Sequence, residues 1–387
     1  MYNREGLNNM DRILMLNYEF PPLGGGGGVA AKNIAKGFIE AGYAVDYVTS
    51  WFPGWKMKEN VEGINVYRIK VIGRKDQQTA TMISMVSFIF LAYKTCRRLC
   101  ERYNYKFVNT HFVVPTGPLG YKISRKYKIP HVISIHGGDI YDPSKKLSPH
   151  KHFIFRMIIR AILNSANHVV AQSSDTRKNA YKYYFTTNDI KIIPLPYIIK
   201  NYEIPSRRIL SMNDKKKYII SVGRLIRRKN YEDFLRTLQL LPNDIEGIIL
   251  GDGPEKKHLE RFSKELGIQD RFHLPGFVSE EKKFQYLYNS DLYLLTSLHE
   301  GFGIVIQEAF QAGLPVVATR HGGQVDLITD NENGFLVDVN DPTNMSEKIM
   351  YIINNKNVNE LFSTNNVKKV KDFQAKQICE MYLNLFE

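Results

Sequence analysis

The chain has 387 residues, and its 43% hydrophobic and 24% charged shares are those of a soluble globular protein. These shares exclude an intrinsically disordered chain, and the length predicts two domains. The opening residues, MYNREGLNNMDR, contain no apolar run. We therefore expect no signal peptide. The three cysteines give no disulfide framework, which favours a cytoplasmic protein.

The formal net charge of +14 is concentrated in the first half of the chain. Residues 1–200 contain 29 Lys and Arg against 13 Asp and Glu, a balance of +16, and the remainder contains 24 against 26, a balance of −2. The first half therefore has either a solvated basic surface or an anionic partner. Among such partners a membrane surface is favoured over nucleic acid, because no nucleic-acid-binding motif accompanies the charge.

Short apolar runs alternate with helix-length segments through the first half, which predicts β-α-β units and a parallel sheet with helices on both faces. The most apolar stretch, Met82–Tyr93, is too short to cross a bilayer and predicts a buried helix. Lys151–Ser165 predicts either a membrane-surface helix or a buried one, and its dense apolar residues favour burial. The predicted strands are Arg12–Tyr18, Tyr43–Thr49, Ile64–Ile69, Lys106–His111, His131–Ile135 and His168–Ala171.

Five consecutive glycines, Gly24–Gly28, lie between the first predicted strand and a helical segment, Val29–Gly42. Because the run falls inside the first β-α-β unit, it is not a linker between domains. Its spacing is also not that of a dinucleotide-binding fingerprint. We interpret it as a mobile lid over a bound ligand, with Gly26 and Gly27 as the predicted contacts.

The motif SIHGGDIY places His136 and Asp139 just after a predicted strand. Open α/β sheets bind their ligands at this carboxyl end, and we expect the two intervening glycines to expose the histidine. His111 also follows a strand and is interpreted as structural. His150 and His152 lack companion ligands, and the three cysteines join no His/Cys cluster, so no metal site is expected.

The alternation breaks at Ile193–Arg208, which contains three prolines, and a second series of strands then begins. We therefore predict domains at residues 1–199 and 200–370. The pattern leaves open where the C-terminal helix, 371–387, attaches, and we expect it to pack back onto the first domain. The strands predicted in the second domain are Lys217–Gly223, Gly247–Leu250, Arg271–Leu274, Asp291–Thr296 and Pro315–Thr319.

The densest pattern is SLHEGFGIVIQEAFQAGLPVVATRHGG, Ser297–Gly323. It predicts a strand, a glycine turn and a helix from about Ile304. Gly303 allows backbone amides to approach a ligand, and the helix N-terminus attracts phosphate. Glu300 and Glu308 are placed to accept hydrogen bonds from different parts of one polyhydroxylated ligand, although either alone is also explained as a solvated charge.

Two loops upstream add cations and glycines to this pattern. In SVGRLIRRKN, Arg224 and Lys229 follow a strand and suit a diphosphate, although a solvated basic loop would explain them as well. In LGDGPEK, Gly251 lies in a turn that can pass under a nucleotide base.

Together these residues resemble the retaining, nucleotide-sugar-dependent glycosyltransferases of family 4, which have the GT-B fold. The resemblance covers nearly the whole chain, and its most specific element is the E-x7-E motif, here Glu300 to Glu308. The segments GRLIRRKN, GDGP and PGFVS, which precede this motif, occur in the same order as in the family. GGQVDLI departs from the commoner pattern, with Asp326 where Glu is usual, so no role is carried over to that carboxylate.

The resemblance implies an α/β fold with two Rossmann-like parallel-sheet domains that face a central cleft, the first binding the acceptor and the second the donor. Glu308 would hold the ribose hydroxyls of the nucleotide, near the turn at Gly251. Glu300 and the amides of Phe302 and Gly303 would contact the donor sugar.

The resemblance also implies how the leaving group is handled. Arg224 and Lys229 would neutralise the diphosphate, with amides near Ile304 completing its binding site. His136 would lie close to the donor sugar and the reacting centre, with Asp139 beside it. In the same interpretation Gly26 and Gly27 would cover the donor phosphate and the acceptor.

The resemblance thus implies a hexosyltransferase that uses a UDP-sugar, or alternatively a GDP-sugar, and keeps the anomeric configuration. The acceptor would be a glycan or a lipid-linked molecule in the synthesis of cell-surface polysaccharide, lipopolysaccharide or glycolipid. No cofactor is expected, and the absence of an Asp-x-Asp motif gives no indication of a metal. The expected partners are the donor, the acceptor and, through the basic first half, the inner face of an anionic membrane, but not nucleic acid.

Two other classes of function remain as alternatives. A Rossmann-type oxidoreductase would use the glycine run, but no acidic residue is suitably placed at the end of YAVDYVT. A non-catalytic basic binding protein would leave both motif glutamates and their glycines unexplained.

Overall fold

A computed structural model describes residues 11–77, 80–203 and 212–387, which form two compact units. The first unit contains the described residues up to Ile198 together with Phe373–Glu387, and the second contains Ile199–Asp372. The opening ten residues and the end of the proline-containing break lie outside the described residues.

The first unit is built on an eight-stranded sheet. Its strands are β1 Arg12–Leu16, β2 Ala44–Ser50, β3 Lys58–Val61, β4 Ile64–Ile69, β5 Phe107–His111, β6 His131–Ile135, β7 His168–Ala171 and β8 Ile190–Ile192. Their order is β3-β4-β2-β1-β5-β6-β7-β8, and the strands are parallel except for the antiparallel pair β3 and β4. The short edge strands β3 and β8 were not predicted, because one is polar and the other has only three residues.

Helices cover both faces of this sheet. They are α1 Gly26–Glu40, α2 Met82–Arg102, α3 Gly117–Tyr127, α4 Phe153–Ser165, α5 Ser174–Tyr184 and, from the end of the chain, α12 Ala375–Leu383. Alternate residues of β1 contribute to different cores: Met15 packs with α1 and α12, whereas Leu16 packs with α2 and α3. Neighbouring helices α2, α3, α4 and α5 therefore form a row on one face, and α1 and α12 lie on the other.

The helices predicted at Met82–Tyr93 and Lys151–Ser165 are present, but the prediction that their apolar residues are buried is wrong. Only one stripe of each helix faces the sheet. On the opposite stripes, Phe90 of α2 is 71% exposed and Phe153 of α4 is 73% exposed. Within the described ranges, no helix is both long enough and apolar enough to span a bilayer.

The second unit has a six-stranded parallel sheet ordered β11-β10-β9-β12-β13-β14. Its strands are β9 Lys217–Val222, β10 Ile245–Leu250, β11 Phe272–Gly276, β12 Leu292–Leu295, β13 Val316–Thr319 and β14 Gly334–Val337, and of these only β14 was not predicted. Its helices are α6 Tyr231–Leu240, α7 Lys256–Glu265, α8 Glu280–Tyr288, α9 Ile304–Gln311, α10 Pro342–Asn354 and α11 Lys356–Lys369. The predicted α/β class with two parallel-sheet domains is confirmed.

The C-terminal helix α12 is fastened to the first unit by close contact with α1. A Cβ atom on Gly37 would overlap the carbonyl oxygen of Ala375 and the Sγ atom of Cys379. The ring of Tyr382 lies 6.0 Å from that of Phe38, and its hydroxyl lies 3.0 Å from the Ser134 hydroxyl on β6. The absence of a side chain at Gly37 is therefore a condition for this packing.

We expect Gly37→Ala to destabilise the first unit by about 1–3 kcal/mol, because the added methyl group overpacks the contact with α12. In a helix with free space at that position, the same change would stabilise the protein by about 0.5–1 kcal/mol. The sign of the change in unfolding free energy therefore shows whether Gly37 is in close contact with α12. The chain's two tryptophans, Trp51 and Trp55, both lie in the first unit, and urea unfolding followed by their fluorescence reports on it.

The matched control is Gly138→Ala, since nothing lies within 4 Å of a Cβ atom built there. Its effect should stay within about 0.5 kcal/mol. Equal effects of the two substitutions would contradict the packing argument.

Candidate active site

Four loops of the second unit meet at one edge of its sheet. They follow β10, β9, β12 and β13, which are neighbours in the sheet and run parallel, so their carboxyl ends coincide. This edge carries Arg224 and Lys229 from the first of the predicted motifs, Gly251 from the second and Glu300 from the third. Open α/β sheets place their ligands at such an edge.

Glycines allow these loops to pack backbone against backbone. A Cβ atom on Gly251 would overlap the carbonyl oxygen of Gly223, and one on Gly323 would overlap that of Gly301. The amide of Gly323 also donates to the carbonyl oxygen of Glu300 across 2.7 Å. Gly251, predicted only as a ligand contact, therefore has a structural role in joining the loops after β9 and β10.

Glu300 is a buried carboxylate held by two cations. Its Oε1 lies 2.7 Å from the Nζ of Lys229, and its Oε2 lies 3.6 Å from Nη1 of Arg228. Burial would raise the pKa of Glu300, but the charges of Lys229 and Arg228 outweigh it and lower the pKa to about 2. Lys229, predicted to neutralise a diphosphate, is thus an ion-pair partner of Glu300 in this structure.

Glu308, the second glutamate of the motif, lies on α9 and is also buried. Its Oε1 is 2.7 Å from the Nζ of Lys283, whereas within the described chain its Oε2 has no hydrogen-bond partner. Burial raises the pKa of Glu308, and the nearby Lys283 ammonium only partly offsets that effect. The carboxylate therefore presents a buried oxygen that is ready to accept a hydrogen bond from a ligand.

Lys283 is a site residue that the sequence analysis missed. It lies on α8 and bridges Glu308 to Glu280, whose Oε1 is 2.8 Å from the Lys283 Nζ. Burial would lower the pKa of Lys283, but Glu308 and Glu280 raise it, so the ammonium is kept charged. Nothing in the sequence marks this lysine, because its only distinction is the carboxylate that tertiary packing brings to it.

The turn before α9 presents backbone groups at the same edge. Gly303 has a φ of +117°, a conformation that glycine adopts without strain, and α9 begins at Ile304 as predicted. The first amides of a helix have no partner within the helix, and its dipole is positive at this end. Arg224 is exposed, and the Phe302 ring is buried.

The predicted residues of the first unit form a second group. His136 follows β6, and Asp139 accepts hydrogen bonds from the amides of His136 (3.0 Å) and Val113 (2.7 Å). Burial raises the pKa of Asp139 to about 6, although these two hydrogen bonds oppose it. The expectation that glycines expose His136 is wrong, because the ring of Phe112 packs 4.4 Å from the imidazole and the residue is 9% exposed.

His111, interpreted from the sequence as structural, contacts the predicted catalytic histidine. Its Nδ1 lies 2.9 Å from Nε2 of His136, because β5 and β6 are adjacent and both residues lie near their carboxyl ends. Burial lowers the pKa of His111 to about 3, and burial together with His111 lowers that of His136. Both imidazoles are therefore neutral near pH 7, and one of the two ring nitrogens donates the hydrogen bond that the other accepts.

The glycine run lies next to this histidine pair, but not as a separate lid loop. Gly26 and Gly27 belong to the first turn of α1, and the amide of Gly25 donates to the Glu19 carboxylate across 3.0 Å. A Cβ atom on Gly27 would overlap the ring of Phe112, the residue that packs on His136. The prediction of a lid over Gly24–Gly28 is therefore wrong for its last three residues, which are helical.

The side chains of the described residues include no group of three or more His, Cys, Asp or Glu that could hold a metal ion.

Both units also match models of known protein families. Residues 24–197 match the family model described as "Glycosyltransferase Family 4", and residues 204–369 match "Glycosyl transferases group 1". The chain is a group 1, family 4 glycosyltransferase. Membership decides against the oxidoreductase and the non-catalytic binding protein.

Individual relatives of this glycosyltransferase extend the comparison. The 2-deoxystreptamine N-acetyl-D-glucosaminyltransferase of Niallia circulans is 26% identical and is aligned over 94% of this chain and 97% of its own. The lipopolysaccharide core biosynthesis glycosyltransferase LpsE of Rhizobium meliloti is 30% identical over 43% of this chain and 48% of its own.

A solved structure supports the fold of the glycosyltransferase. The crystal structure of Anabaena HepE in complex with UDP and glucose has a TM-score of 0.75 and 20% identity, covering 97% of this chain and 99% of that protein. At this level of identity the similarity establishes the GT-B fold.

We expect Lys229→Met to destabilise the second unit by about 3 kcal/mol at pH 7, because it leaves the buried Glu300 carboxylate with Arg228 alone. In the wild type, the stabilisation from the lowered pKa is present above the ordinary value of 4.5 and is lost as the pH falls towards about 2. The deficit of the variant should therefore shrink below pH 4.5, as measured by urea unfolding followed by far-UV circular dichroism.

The matched control is Lys257→Met, which removes an exposed lysine from α7. It should change the unfolding free energy by less than about 0.5 kcal/mol. A deficit of Lys229→Met that grows on acidification would contradict the assigned ion pair.

Proposed function

We propose that this glycosyltransferase transfers a sugar, with retention and without a metal ion, from a nucleotide-diphosphate sugar to a glycan or lipid-linked acceptor. The observation that carries the proposal is the pair of buried motif glutamates, each held by its own lysine at the carboxyl edge of the second sheet. Such carboxylates are fixed acceptors for hydroxyl groups, which a nucleotide sugar offers at both its ribose and its sugar.

The nucleotide end of the donor is assigned to Glu308. Its Oε2, which has no partner among the described residues, accepts a ribose hydroxyl, while Lys283 holds Oε1 and keeps the carboxylate oriented. A UDP-sugar is favoured and a GDP-sugar is the alternative. The HepE structure, with UDP and glucose bound, supports the first choice for a protein of the same fold.

The reacting end of the donor is assigned to Glu300 and the turn before α9. Glu300 and the amides of Phe302 and Gly303 hold the sugar, and the amides at Ile304 face the diphosphate. The exposed Arg224 and the ammonium of Lys229 stabilise charge on the leaving diphosphate, the role that a metal ion takes in other enzymes.

In the first unit, the residue assigned to the reaction is His136. Because burial and His111 lower its pKa, the imidazole is neutral and acts as a hydrogen-bonding group rather than as a cation.

Retention follows from attack on the face that the diphosphate leaves, with a leaving-group oxygen taking the acceptor's proton. The acceptor class is supported by LpsE, whose name places it in lipopolysaccharide core biosynthesis. We also propose that the basic first unit contacts the inner face of an anionic membrane, in a cytoplasmic enzyme.

Glu308→Gln should lower kcat/KM for nucleotide release from the preferred donor about 10–100-fold, because a hydrogen bond to a charged acceptor contributes about 1.5–3 kcal/mol. The assay compares UDP-sugars with GDP-sugars in buffer with and without EDTA, and proton NMR of the product reports the anomeric configuration. EDTA should leave the rate unchanged.

Glu281→Gln, an exposed glutamate on α8, is the matched control and should retain the wild-type rate. Full activity of Glu308→Gln would overturn the ribose assignment, and an inverted product would overturn the assignment of retention.

Lys283→Met should make nucleotide binding depend on pH. Without the ammonium, burial raises the pKa of Glu308 further, so a larger fraction of the carboxyl group is protonated and binding weakens as the pH falls. Calorimetric titration with UDP over a series of pH values measures the effect.

Lys283→Arg should retain most of the wild-type affinity, and Lys282→Met, which changes the exposed neighbour, should retain all of it. An affinity of Lys283→Met that is equal to the wild type at every pH would show that Lys283 does not position Glu308.

A further inference from the structure

The first half of α2 exposes a continuous apolar stripe. Ile83 is 66% exposed and Phe90 is 71% exposed, with Met82, Val86 and Leu91 beside them. These positions recur at helical spacing on the side opposite the buried Phe88 and Ala92 of the same helix. The exposure of these residues therefore follows from their spacing along the helix and not from fraying of the helix end.

The start of α4 exposes a second stripe of the same kind. Ile154 is 71% exposed and lies between Phe153 and Met157, which are also exposed. The exposed Leu147 precedes this helix in a segment tied to its start by a 3.1 Å contact between Nε2 of His152 and the carbonyl oxygen of Lys146. Large apolar side chains thus cluster twice on one domain.

Both stripes lie on the same face of the first sheet and at the same level. Helices α2, α3 and α4 are consecutive neighbours in the row on that face. In β-α-β units the helices run antiparallel to the strands, so the first halves of α2 and α4 both lie toward the carboxyl edge of the sheet. We call the outer face of these three helices the α2–α4 surface.

Cations dominate the rest of the α2–α4 surface. Residues 77–174 contain fourteen Lys and Arg but only three Asp and Glu, namely Glu101, Asp139 and Asp142. Two of these three, Asp139 and Asp142, are buried. The exposed cations on the three helices are Lys94, Arg97, Arg98, Arg102, Lys122, Arg125, Lys126 and Arg160.

We propose that the α2–α4 surface docks on an anionic lipid bilayer, with its two apolar stripes entering the boundary between headgroups and acyl chains and its cations contacting lipid phosphates. An apolar face with a basic surround is the pattern of a helix that lies in a membrane interface. A second copy of this chain fits less well, because two such faces would bring their cations together. Nucleic acid would leave the apolar stripes unpartnered.

Docking rests on the membrane contact proposed above for the first unit and names the surface that makes it, but it does not depend on the transfer reaction. The surface belongs to the first unit, at the level of the edge that carries His136. A bilayer contact there would bring the first unit to the plane in which a lipid-linked acceptor is held.

The experiment is co-sedimentation of the full-length protein with vesicles of phosphatidylcholine alone or of phosphatidylcholine containing phosphatidylglycerol, with no sugar donor present. We expect binding to the second kind of vesicle only, decreasing as salt is raised. The double variant Phe90→Glu/Phe153→Glu should bind those vesicles at least about tenfold more weakly, because it places charges on both stripes.

The matched control is Leu240→Glu, which places the same charge on a 54% exposed apolar residue of α6 in the second unit and should bind like the wild type. Thermal unfolding of each variant checks that it folds. No binding by the wild type, equal binding to both vesicles, or full binding by the double variant would overturn the proposal. A wild-type dimer that the double variant converts to monomer, with vesicle binding unchanged, would instead assign the surface to a second copy. A failed transferase assay leaves these outcomes unaffected.

Discussion

The site in the second unit depends on one constraint, which is that a buried carboxylate must have a cation. The side chains of Glu300 and Glu308 are both removed from water, and each lies 2.7 Å from a lysine ammonium, Lys229 or Lys283. The two environments nevertheless differ. The charges of Lys229 and of a second cation, Arg228, lower the pKa of Glu300 well below its ordinary value, whereas Lys283 does not fully offset the effect of burial on the pKa of Glu308. One glutamate is therefore a firmly ionised anchor, and the other keeps an oxygen that is unpaired among the described residues and is available to a ligand.

Close backbone packing is the second condition of the site. The loops after β9, β10, β12 and β13 contact one another through main-chain atoms, and glycines at 251, 253, 322 and 323 leave room for those contacts. The same principle applies in the first unit, where Gly27 leaves room for the ring of Phe112 and that ring packs on His136. Loops held in this way are rigid, and rigidity is what a site that stabilises charge in a transition state requires.

The E-x7-E motif and the excess of positive charge lie in different units. Residues 1–200 carry the whole excess of cations, whereas the unit with the E-x7-E motif belongs to a nearly neutral half. A local cluster such as Arg224 with Lys229 suits a diphosphate, but an extended field of cations combined with exposed apolar stripes suits an extended anionic surface. The proposed bilayer contact thus accounts for the basic charge of the first unit better than the donor does.

The sequence by itself determined most of the strands and helices, the two-sheet architecture and the family, because the period of apolar residues and the glycines of loops are local properties. It predicted α9 from Ile304 and the position of Glu300 and Glu308, since one short segment contains the turn, the helix start and both carboxylates. Only the tertiary structure decided which groups partner them. Lys283 reaches Glu308 from another helix, and His111 reaches His136 from the next strand of the sheet. Similarly, the sequence predicted that the apolar residues of α2 and α4 are buried, yet about half of them face outward. A sequence pattern shows which residues are hydrophobic, but it does not show which neighbouring element covers them.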